Sequence, residues 1–317
     1  MRIVIIGGTG HIGTFLVPRL VEAGHEVINV SRGDSKPYKP HSAWEHVKSI
    51  KIDREKAEAE GTFGQKILEL QPDVVFDMIS FKRESVQQLV EALKGNIQHY
   101  LVCSTIWVHG HSVVVPTKEE ESRNPFGDYG IKKAEMDDYL MKEHRLNGFP
   151  ATSILAGHIV GPKWIPLNPL GNFKPEIFST LAKGEELLFP TYGMETLHHV
   201  HADDLAQAFF KAMVNRNAAV GETFHVVSEK AVSMRGYAET VASWFGKKAN
   251  LKFMAGDEWK ANLTELNIRR SMDHILHSPN CSIEKAKKLL GYNPRYTSFQ
   301  AVYEAVEWMI EEKLIEY

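Results

Sequence analysis

The sequence predicts an α/β fold in which a doubly wound parallel sheet carries a smaller C-terminal lobe. Two observations lead to this prediction. Short apolar runs alternate with helical segments through the first half of the 317-residue chain, and a glycine-rich loop joins the first run to the first helix. Parallel strands buried on both faces form near-continuous apolar runs, and strand–helix alternation builds a sheet covered on both sides.

Six apolar runs predict the buried strands of this sheet. They are Ile3–Ile6, Glu26–Val30, Val47–Ile52, Val74–Met78, His99–Cys103 and Thr152–Leu155. The helices between them are predicted at Phe15–Ala23, Phe63–Leu70, Ser85–Leu93 and Tyr129–Leu146. Gly24 follows the first helix, where a left-handed cap suits glycine, whereas Pro18 should bend that helix or remove one of its hydrogen bonds.

The character of the sequence changes after residue 156. Gly157–Pro175 is rich in proline and glycine and predicts a long irregular loop. Later helices are predicted at Glu176–Lys183, Asp203–Val214, Arg235–Phe245, Ser282–Leu290 and Phe299–Glu312, with strands at Leu187–Phe189 and Thr223–Val227. We therefore divide the chain into a sheet domain at residues 1–156 and a lobe at residues 157–317 that is partly interleaved with the sheet.

Charge and composition narrow the classes of function. The chain has 37 basic and 40 acidic residues, and its net charge of −3 predicts no strong attraction to nucleic acid or an anionic membrane. The two cysteines, Cys103 and Cys281, offer no disulfide framework, and no apolar stretch is long enough to span a bilayer. We expect a cytoplasmic protein with no membrane partner; the sequence leaves its oligomeric state open, and a homodimer is one arrangement.

The glycine-rich loop carries the strongest chemical signal. Gly7, Gly10 and Gly13 stand between the first strand and the first helix, in the sequence Gly-Gly-Thr-Gly-His-Ile-Gly. Such glycines let the backbone approach a pyrophosphate, which then lies on the amides of His11 and Ile12 at the helix N-terminus. The alternative is a plain glycine turn. The context predicts a Rossmann-type, dinucleotide-binding domain at residues 1–156 and mainly substrate binding at residues 157–317.

The end of the second strand bears on the choice of cofactor. An acidic residue there accepts from the adenosine ribose of NAD, but this chain has Ser31 and Arg32 instead. A guanidinium pairs well with a 2′-phosphate, so the pattern favours NADP over NAD, with a solvated loop arginine as the alternative. Asp53 follows the third strand and is predicted to accept from the adenine amine, unless it is a simple loop acid.

A tyrosine and a lysine four residues apart supply candidate acid–base chemistry. Tyr129 and Lys133 share one helix face, where an ammonium beside a phenol would lower the phenol pKa. The alternative is an exposed tyrosine lying over a lysine stem. Ser104 and Thr105 end the fifth strand, at the sheet edge where ligands of such folds bind. A hydroxyl there can hydrogen-bond the oxygen that gains or loses a proton, and Ser104 is also a candidate cofactor-binding residue; strand-end capping is the alternative.

These motifs together resemble the extended short-chain dehydrogenase/reductase family, the NAD(P)-dependent epimerase/dehydratase group. The resemblance continues through Ile154–Pro162, His199–Ala206 and Lys285–Pro294 and covers nearly the whole chain in order. It implies that Thr105 holds the reacting oxygen and Tyr129 is the acid–base. Lys133 would bind the cofactor ribose and shift the phenol pKa.

The resemblance also implies a substrate. Arg269 and Arg270 resemble the segment that binds a nucleotide-sugar diphosphate, with a surface arginine pair as the alternative. Trp107 and His158 are candidate substrate-binding residues, or else core. Ile106 and Trp107 replace the Asp-Glu pair of family dehydratases, which argues against dehydration. We therefore expect an NAD(P)-dependent epimerase or reductase acting on a secondary alcohol or ketone of a nucleotide sugar.

A second resemblance supplies the alternative function. Ser31–Gly33, Val75–Met78 and Ser282–Gly291 look like an atypical branch that includes chloroplast stem-loop RNA-binding proteins. Members of that branch can lack the Tyr/Lys pair, which this chain keeps. The alternative is therefore a non-catalytic dinucleotide-binding or RNA-binding protein. The histidines and acids of residues 198–204 are assigned a structural role, and we predict no metal site.

Overall fold

The computed structural model describes all residues from 1 to 317. Its strands are β1 (Arg2–Ile6), β2 (Glu26–Ser31), β3 (Lys48–Lys51), β4 (Val74–Asp77), β5 (His99–Thr105), β6 (Ala151–Ala156), β7 (His158–Val160), β8 (Glu186–Pro190), β9 (Thr196–Leu197), β10 (His199–His201), β11 (Thr223–Val226), β12 (Val232–Ser233) and β13 (Asn250–Met254). Short 3₁₀ helices occupy Ser42–His46 and Ile106–His109.

Thirteen α-helices accompany the strands. They are α1 (His11–Glu22), α2 (Arg54–Ala59), α3 (Phe63–Leu68), α4 (Arg83–Leu93), α5 (Gly127–Asn147), α6 (Glu176–Lys183), α7 (Ala202–Val214), α8 (Arg216–Ala219), α9 (Met234–Trp244), α10 (Gly256–Lys260), α11 (Glu265–His277), α12 (Glu284–Leu290) and α13 (Ser298–Glu311). None of them combines the length and apolar character needed to cross a bilayer.

Seven parallel strands form the central sheet, in the order β11-β6-β5-β4-β1-β2-β3. The order reverses between β1 and β4, and ligands of doubly wound sheets bind beyond the carboxyl ends of the strands at such a point. The predicted α/β fold with a doubly wound parallel sheet is therefore confirmed. β11 comes from the C-terminal half of the chain, so residues of that half complete the sheet.

Buried apolar side chains cover both faces of the sheet. One core joins the sheet to α1, α7 and α12 through residues such as Leu16 and Phe209, and a second joins it to α3, α4 and α5 through residues such as Phe63 and Leu140. A third core, around Phe189 and Tyr237, holds the C-terminal lobe together. The sheet is therefore covered by helices on both faces.

The C-terminal lobe departs most from the sequence prediction. Residues 157–175 are mostly irregular, as predicted, except that β7 forms at His158–Val160 and pairs in parallel with β10. The predicted strand at Leu187–Phe189 is confirmed as β8, but its partner β13 and the small β9–β12 pair were not predicted, because strands of two to five residues carry little periodic signal.

The first helix tests two local predictions. Gly24 has a φ of +78°, the left-handed conformation expected just past the helix. Helix α1 continues through the buried Pro18 to Glu22, so the proline, which has no N–H, costs a hydrogen bond without ending the helix.

Candidate active site

The glycine loop leaves room for a ligand to approach the backbone. Gly7 has a φ of +86°, and a Cβ on Gly13 would lie only 2.0 Å from the Gly8 carbonyl oxygen. The buried Asn29 supports the loop because its Oδ1 accepts from the Gly8 amide at 3.0 Å. A side chain at Gly13 would push α1 away from the loop, so this close packing requires glycine. Sequence reasoning missed Asn29, although it is a polar residue within an apolar run.

The first turn of α1 is free to bind an anion. Gly10 caps the helix without a side chain, the turn contains no acidic residue, and the amides of His11, Ile12 and Gly13 have no partner in the chain. Free amides at a helix N-terminus bind phosphate groups through hydrogen bonds and the helix dipole. A cavity of about 740 Å³ opens beside this turn, lined by Gly7, Gly10 and the end of β2. The residues present therefore fit a dinucleotide.

Arg32 lies at the rim of this cavity with Ser31. Its side chain is 66% exposed, and its Nε lies 3.3 Å from a carboxylate oxygen of Asp34. The charge that would attract a 2′-phosphate is therefore partly balanced by a neighbouring acid. Asp53 accepts from the Lys56 amide at 3.1 Å and caps α2, so the structure gives it a local role besides any contact with adenine.

Tyr129 and Lys133 lie one turn apart on α5, with very different exposure. The Tyr129 ring is 42% exposed, whereas Lys133 is buried, and the Lys133 ammonium lies 5.8 Å from the centre of the Tyr129 ring. That ammonium donates to the carbonyl oxygens of Ser80 at 2.6 Å and Cys103 at 2.7 Å. Two of its three N–H groups are thus used, and one remains for a ligand.

The pKa of Tyr129 differs from the sequence expectation. Desolvation by the surrounding protein raises the pKa of Tyr129 above its usual value near 10, and the buried Cys103 thiol acts in the same direction. The neighbouring Thr105 hydroxyl opposes this effect. The expected lowering by Lys133 is wrong for the ligand-free protein, because the cost of burying a phenolate outweighs the distant ammonium. Tyr129 is protonated at neutral pH.

Ser104 and Thr105 face different surroundings at the end of β5. The Thr105 hydroxyl caps the following 3₁₀ helix by accepting from the Trp107 amide at 3.3 Å, and it remains on the Tyr129 side. The Ser104 hydroxyl donates to the buried carboxylate of Asp137 at 2.8 Å. The only donor of Ser104 is thus used inside the protein, and only the lone pairs of its hydroxyl oxygen remain for the predicted contact with the cofactor.

A buried ion pair positions the segment that binds Lys133, and the sequence analysis did not predict it. Arg54 binds Asp77 through two hydrogen bonds, of 2.6 and 3.0 Å, and donates to the Ser80 hydroxyl at 3.1 Å. The Tyr100 hydroxyl also donates to Asp77, at 2.7 Å. Since the Ser80 carbonyl accepts from Lys133, the pair fixes the segment that positions the ammonium. An acid at the end of the apolar run of β4 was the available signal.

Trp107 contacts Tyr129 and is itself surrounded by three histidines. The Trp107 ring lies edge-to-face with Tyr129 at 5.9 Å and with His158 at 6.1 Å, and it stacks on His277 at 4.0 Å. His274 lies edge-on to the same ring at 4.8 Å. The structure thus brings the predicted Trp107 and His158 together, and Trp107 in turn contacts Tyr129. His274 and His277 of α11 were missed because they lie far away in the sequence.

Arg269 and Arg270 lie on the same helix, one turn or more before His274. Both side chains are exposed, and neither forms an ion pair. They are therefore available to an anionic ligand, and they remain substrate-binding candidates. Elsewhere, His198 and His201 bind Ser228 and Glu304, and no group of three His, Cys, Asp or Glu side chains is arranged to hold a metal ion.

Comparison with known proteins identifies a family model and two relatives that match nearly the whole chain. The sequence model of the NAD dependent epimerase/dehydratase family matches residues 3–226. The chain is 28% identical to the chloroplast stem-loop binding protein of 41 kDa b from Arabidopsis thaliana, over 93% of this chain and 75% of that protein. It is 26% identical to a UDP-glucose 4-epimerase of Mycolicibacterium smegmatis, covering 97% and 98% of the two chains.

A solved structure shares the fold over the full length. The UDP-glucuronic acid 4-epimerase of Bacillus cereus, in complex with UDP-glucuronic acid and NAD, superposes with a TM-score of 0.74 at 17% identity. The match covers 98% of this chain and all of that one. The Rossmann-type architecture with a smaller C-terminal lobe is therefore shared.

Proposed function

This chain belongs to the NAD dependent epimerase/dehydratase family, and we propose that it is an NAD(P)-dependent epimerase or reductase acting on a secondary alcohol or ketone of a nucleotide sugar. One observation carries the proposal: Thr105, Tyr129 and Lys133 converge at the carboxyl ends of the sheet strands, beside the open glycine loop. A hydroxyl, a phenol and an ammonium at one point are the groups that proton transfer to and from a sugar oxygen requires.

The cofactor would be held by the glycine loop and the free amides of α1. When bound, its nicotinamide ring supplies or accepts the hydride of the redox step. Solved relatives that contain NAD support the choice of a nicotinamide dinucleotide. We further propose a preference for NADP over NAD, because Ser31 and Arg32 replace the usual acid. Asp34 reduces that preference by pairing with Arg32.

The side chains divide the acid–base work. Tyr129, protonated at neutral pH, donates its proton to a ketone oxygen during reduction and takes a proton back from the hydroxyl in the reverse direction. The Thr105 hydroxyl binds the same oxygen and fixes its position. Lys133 offers its third N–H to the cofactor ribose and disperses charge that develops on the phenol oxygen.

Substrate binding is proposed at Trp107, His158, Arg269 and Arg270. Trp107 lies beside the acid–base tyrosine, His158 lies against Trp107, and the exposed arginines lie on α11. This arrangement suits a ligand with a sugar at one end and a diphosphate at the other. The names of the relatives, UDP-glucose 4-epimerase and UDP-glucuronic acid 4-epimerase, support a nucleotide sugar.

Native mass spectrometry of the purified protein, followed by a screen of nucleotide sugars, tests the proposal. A retained dinucleotide together with interconversion of two epimers indicates an epimerase. An empty site together with NAD(P)H-dependent reduction indicates a reductase that releases its cofactor. A protein that binds neither NAD nor NADP at millimolar concentration contradicts the proposal.

RNA binding is the second candidate, because the relative from Arabidopsis thaliana is named a stem-loop binding protein. The net charge of −3 and the assembled Thr105, Tyr129 and Lys133 favour the enzyme. We expect RNA binding in the micromolar range or weaker at physiological salt, decreasing steeply as salt rises. Tight binding to one stem-loop over its scrambled control in a gel-shift assay would reverse this preference.

A further inference from the structure

Lys133 binds two backbone carbonyl oxygens, and the buried Arg54–Asp77 pair fixes the segment that supplies one of them. The other carbonyl belongs to Cys103, one residue before Ser104 in β5. The Ser104 hydroxyl donates to the carboxylate of Asp137 at 2.8 Å. A second charged side chain therefore fixes the second carbonyl that binds the lysine.

Asp137 is a fully buried carboxylate on the same helix as the lysine. It lies four residues after Lys133, one turn further along α5, so the two side chains share a face of the helix. Its Oδ2 accepts from Ser104, and its Oδ1 accepts from the hydroxyl of Ser153 in β6 at 2.6 Å. Hydroxyl donors on both oxygens favour the charged form of a carboxylate.

Neither of these two buried charges is hydrogen-bonded to a residue of opposite charge. The Lys133 ammonium donates to carbonyl oxygens. The Arg123 guanidinium lies 3.9 Å from Asp137 but only 3.2 Å from the exposed Asp138. Burial raises the pKa of Asp137, and Arg123, the serine hydroxyls and Lys133 oppose this effect. Since a buried charge is costly without compensation, the ammonium and the carboxylate one turn apart stabilise each other.

The other ionisable groups near Lys133 do not supply this compensation. Burial lowers the pKa of Lys133, and Arg54 acts in the same direction, whereas Cys103, Asp137 and Asp77 oppose the effect. Burial raises the pKa of the Cys103 thiol to about 11, so the thiol is uncharged at neutral pH. The charge of Asp77 is balanced by Arg54, which binds it through two hydrogen bonds. Asp137 is thus the anion whose charge remains for the lysine.

We propose that Asp137 is the counter-charge of Lys133. It is a positioning residue that keeps the lysine in its ammonium form and, through Ser104, holds the Cys103 carbonyl that the ammonium binds. Loss of the proton would replace the third N–H of Lys133 by a lone pair, which cannot donate to a ligand. The consequence for the cofactor rests on the proposed function, in which that N–H binds the cofactor ribose.

NMR of the ligand-free protein with isotope-labelled lysine follows the protonation of Lys133, and Lys133→Met identifies its signal. Asp137→Asn keeps the shape of the side chain and an oxygen that accepts from Ser104, but it removes the charge. The pKa of Lys133 should fall by about one unit or more, because an opposite charge one helical turn away is lost. An unchanged pKa of Lys133 in the folded variant overturns the proposal.

Glu135→Gln is the matched control for this titration. Glu135 lies between Lys133 and Asp137 in the sequence of α5, but its side chain is exposed. Its removal should change the pKa of Lys133 by less than about 0.3 units, because water and salt screen an exposed charge. A shift as large as that of Asp137→Asn would overturn the specific role of Asp137.

A double-mutant cycle tests the same pairing through stability and does not require Asp137→Asn to fold. Lys133→Met combined with Asp137→Asn removes both charges together. The double variant should resist urea better than Asp137→Asn alone, or restore folding if the single variant is unfolded, because no uncompensated cation stays buried. A double variant no more stable than Asp137→Asn overturns the proposal.

The cofactor separates this inference from the proposed function. As the pH rises, Asp137→Asn should lose NAD binding at a lower pH than the wild type, displaced by the same shift as the Lys133 signal. If the Lys133 signal shifts and the NAD profile does not, the counter-charge stands and the proposed ribose contact fails. If the wild type binds neither NAD nor NADP, the proposed function fails, and the titration of the ligand-free protein still decides the role of Asp137.

Discussion

The Lys133 ammonium donates a hydrogen bond of 2.6 Å to the carbonyl oxygen of Ser80. The same serine receives a hydrogen bond from Arg54 through its hydroxyl, at 3.1 Å. The end of β4 therefore connects a buried ion pair to the lysine of the candidate active site. The hydrogen bonds to the Ser80 and Cys103 carbonyl oxygens restrict the rotation of the Lys133 side chain. They therefore fix the direction of its remaining N–H group.

Replacement of this lysine tests its double role. Lys133→Met should slow turnover about a hundredfold or more, because the positioned charge near Tyr129 is lost. It should also weaken cofactor binding, since the third N–H is assigned to the ribose. Calorimetry with NAD and NADP measures the second effect. Lys142→Met, on the exposed side of α5, should change neither quantity, and wild-type affinity in Lys133→Met would refute the ribose contact.

The Arg54–Asp77 pair should matter for stability. Arg54→Met leaves Asp77 fully buried without its partner, and breaking such a pair costs about 3–5 kcal/mol. Arg235→Met removes a surface pair with Glu239 and should cost less than about 1 kcal/mol. Urea denaturation of both variants measures the difference. If both variants lose the same free energy of unfolding, the buried Arg54–Asp77 pair contributes no more to stability than the surface pair.

Two substitutions at the end of β2 test the cofactor preference. Arg32→Ala should weaken NADP binding by a charge-assisted hydrogen bond, about 1.5–3 kcal/mol, and leave NAD binding nearly unchanged. Asp34→Asn should strengthen NADP binding because it frees Arg32 from its pair. Fluorescence titration of the wild type and both variants with NAD and with NADP gives the six affinities. A wild type that prefers NAD, or binds both equally, refutes the proposed preference for NADP.

Many buried histidines should make the fold sensitive to acid. Burial lowers the pKa of His109, His198, His274 and His277 to about 4 each. Below about pH 6.5 the unfolded chain takes up protons at these histidines and the folded chain does not. Stability is therefore lost as the pH falls from about 6.5 toward 4, by about 1.4 kcal/mol per pH unit for each histidine.

Thermal denaturation between pH 7 and 5 checks this expectation. The midpoint should fall steadily with pH, and His198→Gln should reduce the slope because one proton-binding group is removed from the unfolded chain. A midpoint that stays constant over this range would show that the buried histidines do not control the acid stability.

The sequence predicted the parts of the site that depend on local spacing. Gly7, Gly10 and Gly13 follow a strand and open a helix, and Tyr129 and Lys133 share a helix face, so short-range geometry sufficed for them. Adjacent strand residues lie in different surroundings, and only the structure shows Asp137 next to Ser104. Asp137 belongs to helix α5, so the sequence pattern of strand β5 does not indicate this contact.

Long-range contacts explain the remaining differences. His274 and His277 approach Trp107 only because α11 crosses the cleft, and nothing near residue 107 in the sequence indicates it. The direction of the Tyr129 pKa depends on how much protein covers the hydroxyl, which spacing to Lys133 does not report. Burial in three dimensions, rather than residue type, decided both.

Protonation of Tyr129 can be measured directly. Because its pKa is raised, the ligand-free wild type should gain no more phenolate absorbance at 295 nm than Tyr129→Phe as the pH rises from neutral to about 10. Above that range the wild type should show one additional ionising tyrosine. A wild-type excess that develops near pH 8 would mean that Lys133 lowers the phenol pKa after all.

Turnover by Tyr129→Phe tests the central claim most directly. The variant removes one hydroxyl and keeps the ring against Trp107, so the fold and the bound cofactor should survive, as native mass spectrometry can verify. On a nucleotide sugar that the wild type converts, we predict turnover about a hundred- to ten-thousandfold slower, because the proton donor is gone. Full activity of Tyr129→Phe with its cofactor still bound would contradict the account.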